Sequence, residues 1–377
     1  MDSGYPDVLA IGTMSGTSMD GVDVAAITTD GASVSAFGPT HASPYSAGDR
    51  AILRAALKEA ASASNEERAP DFAEASRIVT ERHAEAIEAF CREHRIAARD
   101  VGVVGFHGQT VIHRPERALT VQIGDAHALA SRLGIPVVYD LRQADMRAGG
   151  QGAPLVPVFH RALAARCALK APVAFLNLGG VANVTYIGRD GSLIAFDTGP
   201  ANALLDDWAM QHTGQAADFD GRLSGSGQVD RKRLAELMED PYFDEPAPKS
   251  LDRDHFAGTA SSIISGLAAQ EGAATLAGFT VESVAAALRH FPEPPQAWVV
   301  SGGGVNNPVI LQGLADRLQV PVSRAEDYGL SSEFMEAQAF GYLAVRALRG
   351  LPLSYPGTTG VKVAMPGGAV ALPGTAA

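Results

Sequence analysis

The sequence predicts a two-domain α/β protein, each lobe a mixed sheet of about five strands flanked by helices, with the active site in the interdomain cleft. Three observations carry that reading. Residues 8–27 run strand, Gly/Ser/Thr-rich turn, strand. The same order returns at residues 173–187, and in both halves a further strand and then helices follow. Elsewhere, short apolar runs end in Gly-rich turns and alternate with segments whose apolar residues recur every three or four positions.

In the opening stretch the apolar flanks are too short for helices and carry Val and Ile, as a hairpin requires. Gly12, Gly16 and Gly21 permit positive φ or the close approach of another group. Thr13, Ser15, Thr17 and Ser18 put four hydroxyls where an anionic oxygen could sit, between Met14 and Met19, and Asp20 and Asp23 add carboxylates suited to a metal-bound water or a sugar hydroxyl. Val34–Phe37 reads as a third strand before a turn at Pro39 and Pro44. Helices over 49–62 and 71–94 follow, separated by a polar break at 64–70.

The apolar strand at 101–106 runs into His107-Gly108-Gln109-Thr110. Ligands in α/β folds collect at the carboxyl ends of strands, so this turn is a candidate binding element. Thr120–Ile123, with Gln122, leads to Gly124-Asp125 and a helix over 126–133. The strand at 135–141 enters Asp140–Pro154, a segment dense in glycine and charge that holds Arg142, Asp145 and Arg147 and opens a helix at about 155–167. The pattern restarts near residue 168, which sets domains at 1–168 and 169–350.

In the second half, Asn177, Gly179, Gly180 and Asn183 occupy the turn of the hairpin, and the strand at 192–196 ends at Asp197-Thr198-Gly199-Pro200-Ala201-Asn202. A lone Asp-Thr-Gly is ordinarily a turn in which Asp bonds its own backbone. Aspartic proteases carry a second copy, which is absent here. The strand at 297–300 ends in Gly302, Gly303 and Gly304, three glycines against which a flat ring can lie. A last helix over 333–348 has Ala337, Ala339, Gly341 and Ala344 for close helix contacts, and the tail 351–377 is expected to return to the N-terminal lobe and then fray.

Composition narrows the field. With 46% apolar and 19% charged residues the 377-residue chain is globular rather than disordered. A net charge of −12 repels phosphate backbones and anionic membranes, so neither nucleic acid nor a membrane is an expected partner. Cys91 and Cys167 form no CxxC pair, no apolar run reaches transmembrane length, and the N-terminus lacks a signal peptide's pattern; a cytoplasmic protein is expected. No P-loop, GxGxxG opening, GxSxG elbow or HExxH occurs. What remains is a duplicated lobe with a Gly-rich hairpin in each half and a triple-Gly turn late in the chain: two such hairpins can grip a triphosphate while the turn receives the nucleoside, and Asp197 at a strand end is the candidate base for an acceptor hydroxyl. Phosphoryl transfer depends chiefly on positioning and charge stabilisation, so it can proceed without a P-loop lysine.

Eight segments, in order and spanning almost the whole chain, carry a resemblance: 12–23 (GTMSGTSMDGVD), 107–110 (HGQT), 122–125 (QIGD), 140–154, 177–183 (NLGGVAN), 197–202 (DTGPAN), 301–307 (SGGGVNN) and 336–340 (EAQAF). The chain resembles the anhydro-N-acetylmuramic acid kinase family, within the superfamily of sugar kinases, actin and heat-shock ATPases. The resemblance implies an actin-like ATPase or sugar kinase fold. It also implies use of ATP and Mg²⁺ to convert 1,6-anhydro-N-acetylmuramic acid and water into N-acetylmuramic acid 6-phosphate, in recycling of cell-wall sugars, and a homodimer. Residues 12–19 would match the family's ATP-phosphate loop and Asp197 its catalytic base. Asp20, His107, Gln109, Gln122, Asp125, Arg142 and Asp145 would lie in or near the sugar site, and no residue is assigned to a metal. One departure is visible: Lys249-Ser250-Leu251-Asp252-Arg253 stands where family members tend to carry Lys-Ser-Thr-Gly-Arg. Another kinase of the superfamily and a chaperone-like ATP-binding switch stay open as alternatives.

Overall fold

The computed structural model describes residues 4–16, 18–62 and 72–374. Thr17, the polar break at 64–70 and the last residues of the tail expected to fray, 375–377, lie outside them. The chain forms two compact units, one of residues 1–166 together with 333–377, the other of residues 167–332.

The first unit opens with strands β1 (Val8–Met14), β2 (Gly21–Thr29) and β3 (Val34–Pro44). Helices α1 (Ala47–Ser62) and α2 (Ala73–His94) precede β4 (Val103–Phe106), the hairpin of β5 (Gln109–Arg114) and β6 (Leu119–Ile123), α3 (Ala126–Leu133), β7 (Val137–Tyr139), α4 (Gln143–Arg147) and α5 (Pro157–Arg166). The second unit holds β8 (Val173–Leu178), β9 (Val181–Ile187), β10 (Leu193–Pro200), α6 (Asn202–Thr213), α7 (Arg231–Leu237), α8 (Ala257–Ile263), α9 (Ala269–Ala286), β11 (Trp298–Ser301), α10 (Pro308–Leu318) and β12 (Val322–Arg324). The chain then returns to the first unit as α11 (Met335–Leu348), α12 (Pro356–Thr359) and β13 (Ala369–Ala371).

The two main sheets share one connectivity. In the first, ordered β13-β7-β4-β1-β2-β3, the β1-β2-β3 meander is antiparallel and β4 and β7 run parallel to β1. In the second, ordered β10-β9-β8-β11-β12, the β8-β9-β10 meander is antiparallel and β11 and β12 run parallel to β8. The parallel strands are continuously buried (Val103–Phe106, Trp298–Ser301), as strands covered on both faces must be. Each unit has its own core, centred on Ile87, Phe90 and Val104 in the first and on Tyr186, Phe279 and Trp298 in the second.

Two expectations are corrected. The third strand runs on through Pro39 to Pro44, because β3 lies at the sheet edge, where a proline's missing donor deprives no neighbour. The helix at 333–348 does not belong to the second lobe. Helix α11 lies on β1, β2 and β4 of the first unit. Its small residues permit this contact: a Cβ on Gly12 would overlap the Ala337 carbonyl, and one on Gly105 the Phe340 carbonyl. Sequence order alone pointed to the second lobe; only the fit of β1 and β4 glycines under the helix sends it back.

Candidate active site

In the first unit, residues from the β1–β2 turn, β4, β5, α4 and α11 meet around a cavity of about 370 Å³ lined by Met14, Ser15, Gly16, His107, Gln109, Thr110, His113, Arg142, Ala153 and Glu336. Six of the residues expected near a sugar or phosphate, Met14, Ser15, Gly16, His107, Gln109 and Arg142, thus line one space. Gln109 braces the turn: its Oε1 accepts the Ser15 hydroxyl at 2.7 Å and its Nε2 donates to the Gly16 carbonyl at 3.3 Å. Tyr45 Oη lies 3.0 Å from the same hydroxyl.

His107 is held in one tautomer. Nε2 accepts from the Arg142 guanidinium at 3.1 Å, so the ring proton sits on Nδ1, which donates to the Gly108 carbonyl at 2.8 Å. Burial, and after it the Arg142 charge, press the His107 pKa down to about 3. His107 thereby helps to hold the Arg142 guanidinium in place. Arg142 donates also to the Gly152 carbonyl at 2.9 Å, which leaves further donors on its fork for a ligand. Burial lowers the Arg142 pKa, opposed by Glu336; burial raises the Glu336 pKa, opposed by Arg142.

Glu336 was not singled out as a site residue from the sequence. Its signal is a carboxylate one position into α11, in a run, Met335–Val345, whose other residues are buried and, Gln338 apart, apolar. Asp23 has the same character: burial, then Glu333, Glu336 and Asp20, raise its pKa to about 6.

The turn is less open than its composition implied. Thr13 is buried and donates to the Gly105 carbonyl at 3.1 Å, Met19 is in the core, and Gly12 lies under α11. Among the described residues 12–20, Ser18 and Asp20 are exposed and Met14 and Gly16 half-buried. Gly12 and Thr13, successive residues on opposite faces of β1, are both buried because both faces of this strand are covered.

Three further expectations change. Asp125 caps α3, accepting from the amides of His127 and Ala128 at 2.9 Å each, and lines a separate groove between α2 and α3. Gln122 donates within its own hairpin, to Thr120 and Thr110 hydroxyls. Asp145 is 2% exposed and does not line the cavity. Its carboxylate accepts from Gly152 N (2.7 Å), Ser354 Oγ (2.5 Å) and Thr359 Oγ1 (2.6 Å), tying the tail to the Gly-rich segment whose Gly152 carbonyl receives Arg142.

In the second unit, register builds a polar row. Ser301 pairs with Asn177, Asn177 with Asn183, and Asn183 with Asp197, so four polar side chains from β11, β8, β9 and β10 share one face of the sheet. A bulge between Asp197 and Gly199 ends the row. Burial raises the Asp197 pKa to about 6, opposed by the Leu251 amide, which donates to Oδ2 at 2.8 Å. The three glycines after β11 differ in role. Gly302 has φ +85°, and a Cβ there would overlap Asn177 Oδ1; a Cβ on Gly304 would press on Leu178. Only Gly303 is exposed, so packing on the second hairpin, not a flat ligand ring, explains two of them. In that hairpin the carbonyls of Gly179 and Gly180 receive the amides of Asn202, Ala201 and Ala203 at the start of α6, and Gly180 faces outward.

Among the described residues no group of three or more His, Cys, Asp or Glu side chains is arranged to hold a metal ion, and no helix is long and apolar enough to cross a membrane.

A family model for anhydro-N-acetylmuramic acid kinases matches residues 8–373. A protein of Rhodopseudomonas palustris (strain BisB18) with that name is 52% identical over 366 residues, covering 97% of this chain and 100% of its own. One of Methylobacterium nodulans with the same name is 50% identical over 375 residues, covering 97% and 100%.

Proposed function

Since the chain belongs to the anhydro-N-acetylmuramic acid kinase family, we propose that it uses ATP to open the 1,6-anhydro bridge of anhydro-N-acetylmuramic acid and phosphorylate O6, giving N-acetylmuramic acid 6-phosphate in cytoplasmic recycling of cell-wall sugars. The observation that carries the chemistry is the half-buried Asp197 at the end of the polar row, one carboxylate oxygen fixed by Leu251 N–H. Among the described residues nothing bonds its other oxygen, Oδ1. That oxygen takes a proton from the water attacking C1, on the ring face opposite the bridge. As C1–O6 breaks, O6 takes up the electron pair and attacks the γ-phosphorus, and ADP leaves. One carboxylate activating water is the logic of an inverting glycosidase, with the phosphoryl group in place of the acid partner.

In this reading the sugar occupies the cavity of the first unit, where Arg142 supplies a cation for the substrate's lactyl carboxylate and His107 fixes the guanidinium plane. Gly16 and Ser18 of the first turn and Asn177, Gly180, Asn183 and Gly303 of the second unit meet the nucleotide. The described side chains form no cage for Mg²⁺, so the ion would arrive held by ATP oxygens and water, as Mg²⁺ commonly is at phosphate sites.

Labelled water tests the bond order. With H₂¹⁸O, ATP and the anhydro sugar, the label is expected at C1 of the product. Label in the phosphate, or turnover of an ordinary hexose at the same rate, would overturn the reading.

A further inference from the structure

Strand β10 is the outer strand of its sheet, so the backbone of Asp197 has no strand beside it on one side. The segment 242–251 covers that edge. Asp197 N donates to the Lys249 carbonyl at 3.0 Å, Tyr242 Oη donates to the Asp197 carbonyl at 2.6 Å, and Leu251 N donates to Asp197 Oδ2 at 2.8 Å. Main chain and carboxylate are thereby fixed together.

The segment is itself held by Lys249. This lysine is 8% exposed; its Nζ donates to the Tyr242 carbonyl at 2.6 Å and lies 4.4 Å from the Tyr242 ring centroid and 5.9 Å from that of Phe196. A buried ammonium over an aromatic face is a strong anchor, because little water competes for it. Tyr242 is packed in the core beside Phe243 and Phe256. Two of the contacts to Asp197 come from the main chain of residues 249 and 251, so the departure Leu251-Asp252 from the family's Thr-Gly leaves them intact.

We propose that Lys249 and Tyr242 are positioning residues for Asp197: they lock the 242–251 segment so that the Leu251 amide holds Oδ2 and aims Oδ1 at the attacking water. This rests on the reading of Asp197 as the base. The charged and titratable groups around the clasp are Glu245, Asp244, Arg289 and His290 near Lys249, and His255 with Asp240 beside Tyr242.

Three full-length variants test it: Tyr242→Phe, which deletes one oxygen, Lys249→Met, which keeps the stem and removes the charge, and Asp197→Asn. For Tyr242→Phe and Lys249→Met we expect kcat down 10- to 100-fold, the loss that a misplaced catalytic group incurs, with both KM values within about twofold. The acid limb of the kcat/KM profile should move to higher pH, since a carboxylate losing an amide donor holds its proton longer. A drop in thermal midpoint with an unmoved acid limb and near-native kcat would overturn the proposal; if Lys249→Met does not fold, Tyr242→Phe decides alone. Activity retained in Asp197→Asn would instead refute the base assignment itself. An inactive Asp197→Asn beside native-like Tyr242→Phe and Lys249→Met would refute only the clasp.

Discussion

Replacing Asp197 by Asn should separate function from stability, and the structure sets the size of both effects. Burial raises the carboxyl from 3.8 to about 6. The folded chain therefore keeps its proton between about pH 4 and 6, where the unfolded chain has lost it. For such a group, stability present below pH 3.8 is lost as pH rises and is gone above about 6. At 1.36 kcal/mol per unit, ionised Asp197 destabilises the fold by up to about 3 kcal/mol at neutral pH. Asn carries no charge, and its oxygen can still accept from Leu251 N–H. Asp197→Asn should raise the thermal midpoint at pH 7.5 by up to several degrees, and this gain should vanish at pH 4. Turnover should fall by about 10²–10⁴, the usual contribution of a general base. In the unaltered enzyme kcat/KM should fall below about pH 6, as the base is protonated. Calorimetric melts at the two pH values and a coupled ADP-release assay give the answer. A variant within threefold of full activity, or an equal thermal gain at both pH values, would refute the reasoning.

Three further substitutions separate packing from binding. Gly12→Ala forces a Cβ into the Ala337 carbonyl and should destabilise the fold by about 1–3 kcal/mol or more in chemical denaturation, leaving nucleotide affinity of the folded protein unchanged. Gly16→Val should be neutral for stability, because Gly16 is not in the left-handed region and its Cβ would meet only Ser18 Oγ, at 3.8 Å. ATP should nonetheless bind at least tenfold more weakly in titration calorimetry; unchanged affinity would mean that this turn holds no phosphate. Asp145→Asn disturbs three buried contacts to Gly152, Ser354 and Thr359 and should cost about 3 kcal/mol. The tail 351–374 should then be cut early in limited proteolysis, and a tail as resistant as before would count against its tie to Asp145.

Much of this protein is legible from its sequence because the governing forces are local. Alternation and apolar runs mark β1, β2, β4, β8 and β11, the repeated strand-turn-strand order foretells two sheets of one connectivity, and DTGPAN at a strand end marks Asp197. Tertiary structure decided what each polar or glycine residue does there, since that depends on partners far along the chain. Asp125 and Asp145 look alike as carboxylates in glycine-containing segments that follow strands; one caps α3, and the other meets hydroxyls more than two hundred residues away. Gly12 and Gly16 stand four residues apart, yet the first makes room for α11 and the second is open, because only the path of α11 over β1 distinguishes them. Likewise, the clasp on Asp197 exists only because β10 ends its sheet and residues 242–251 fold back to cover it.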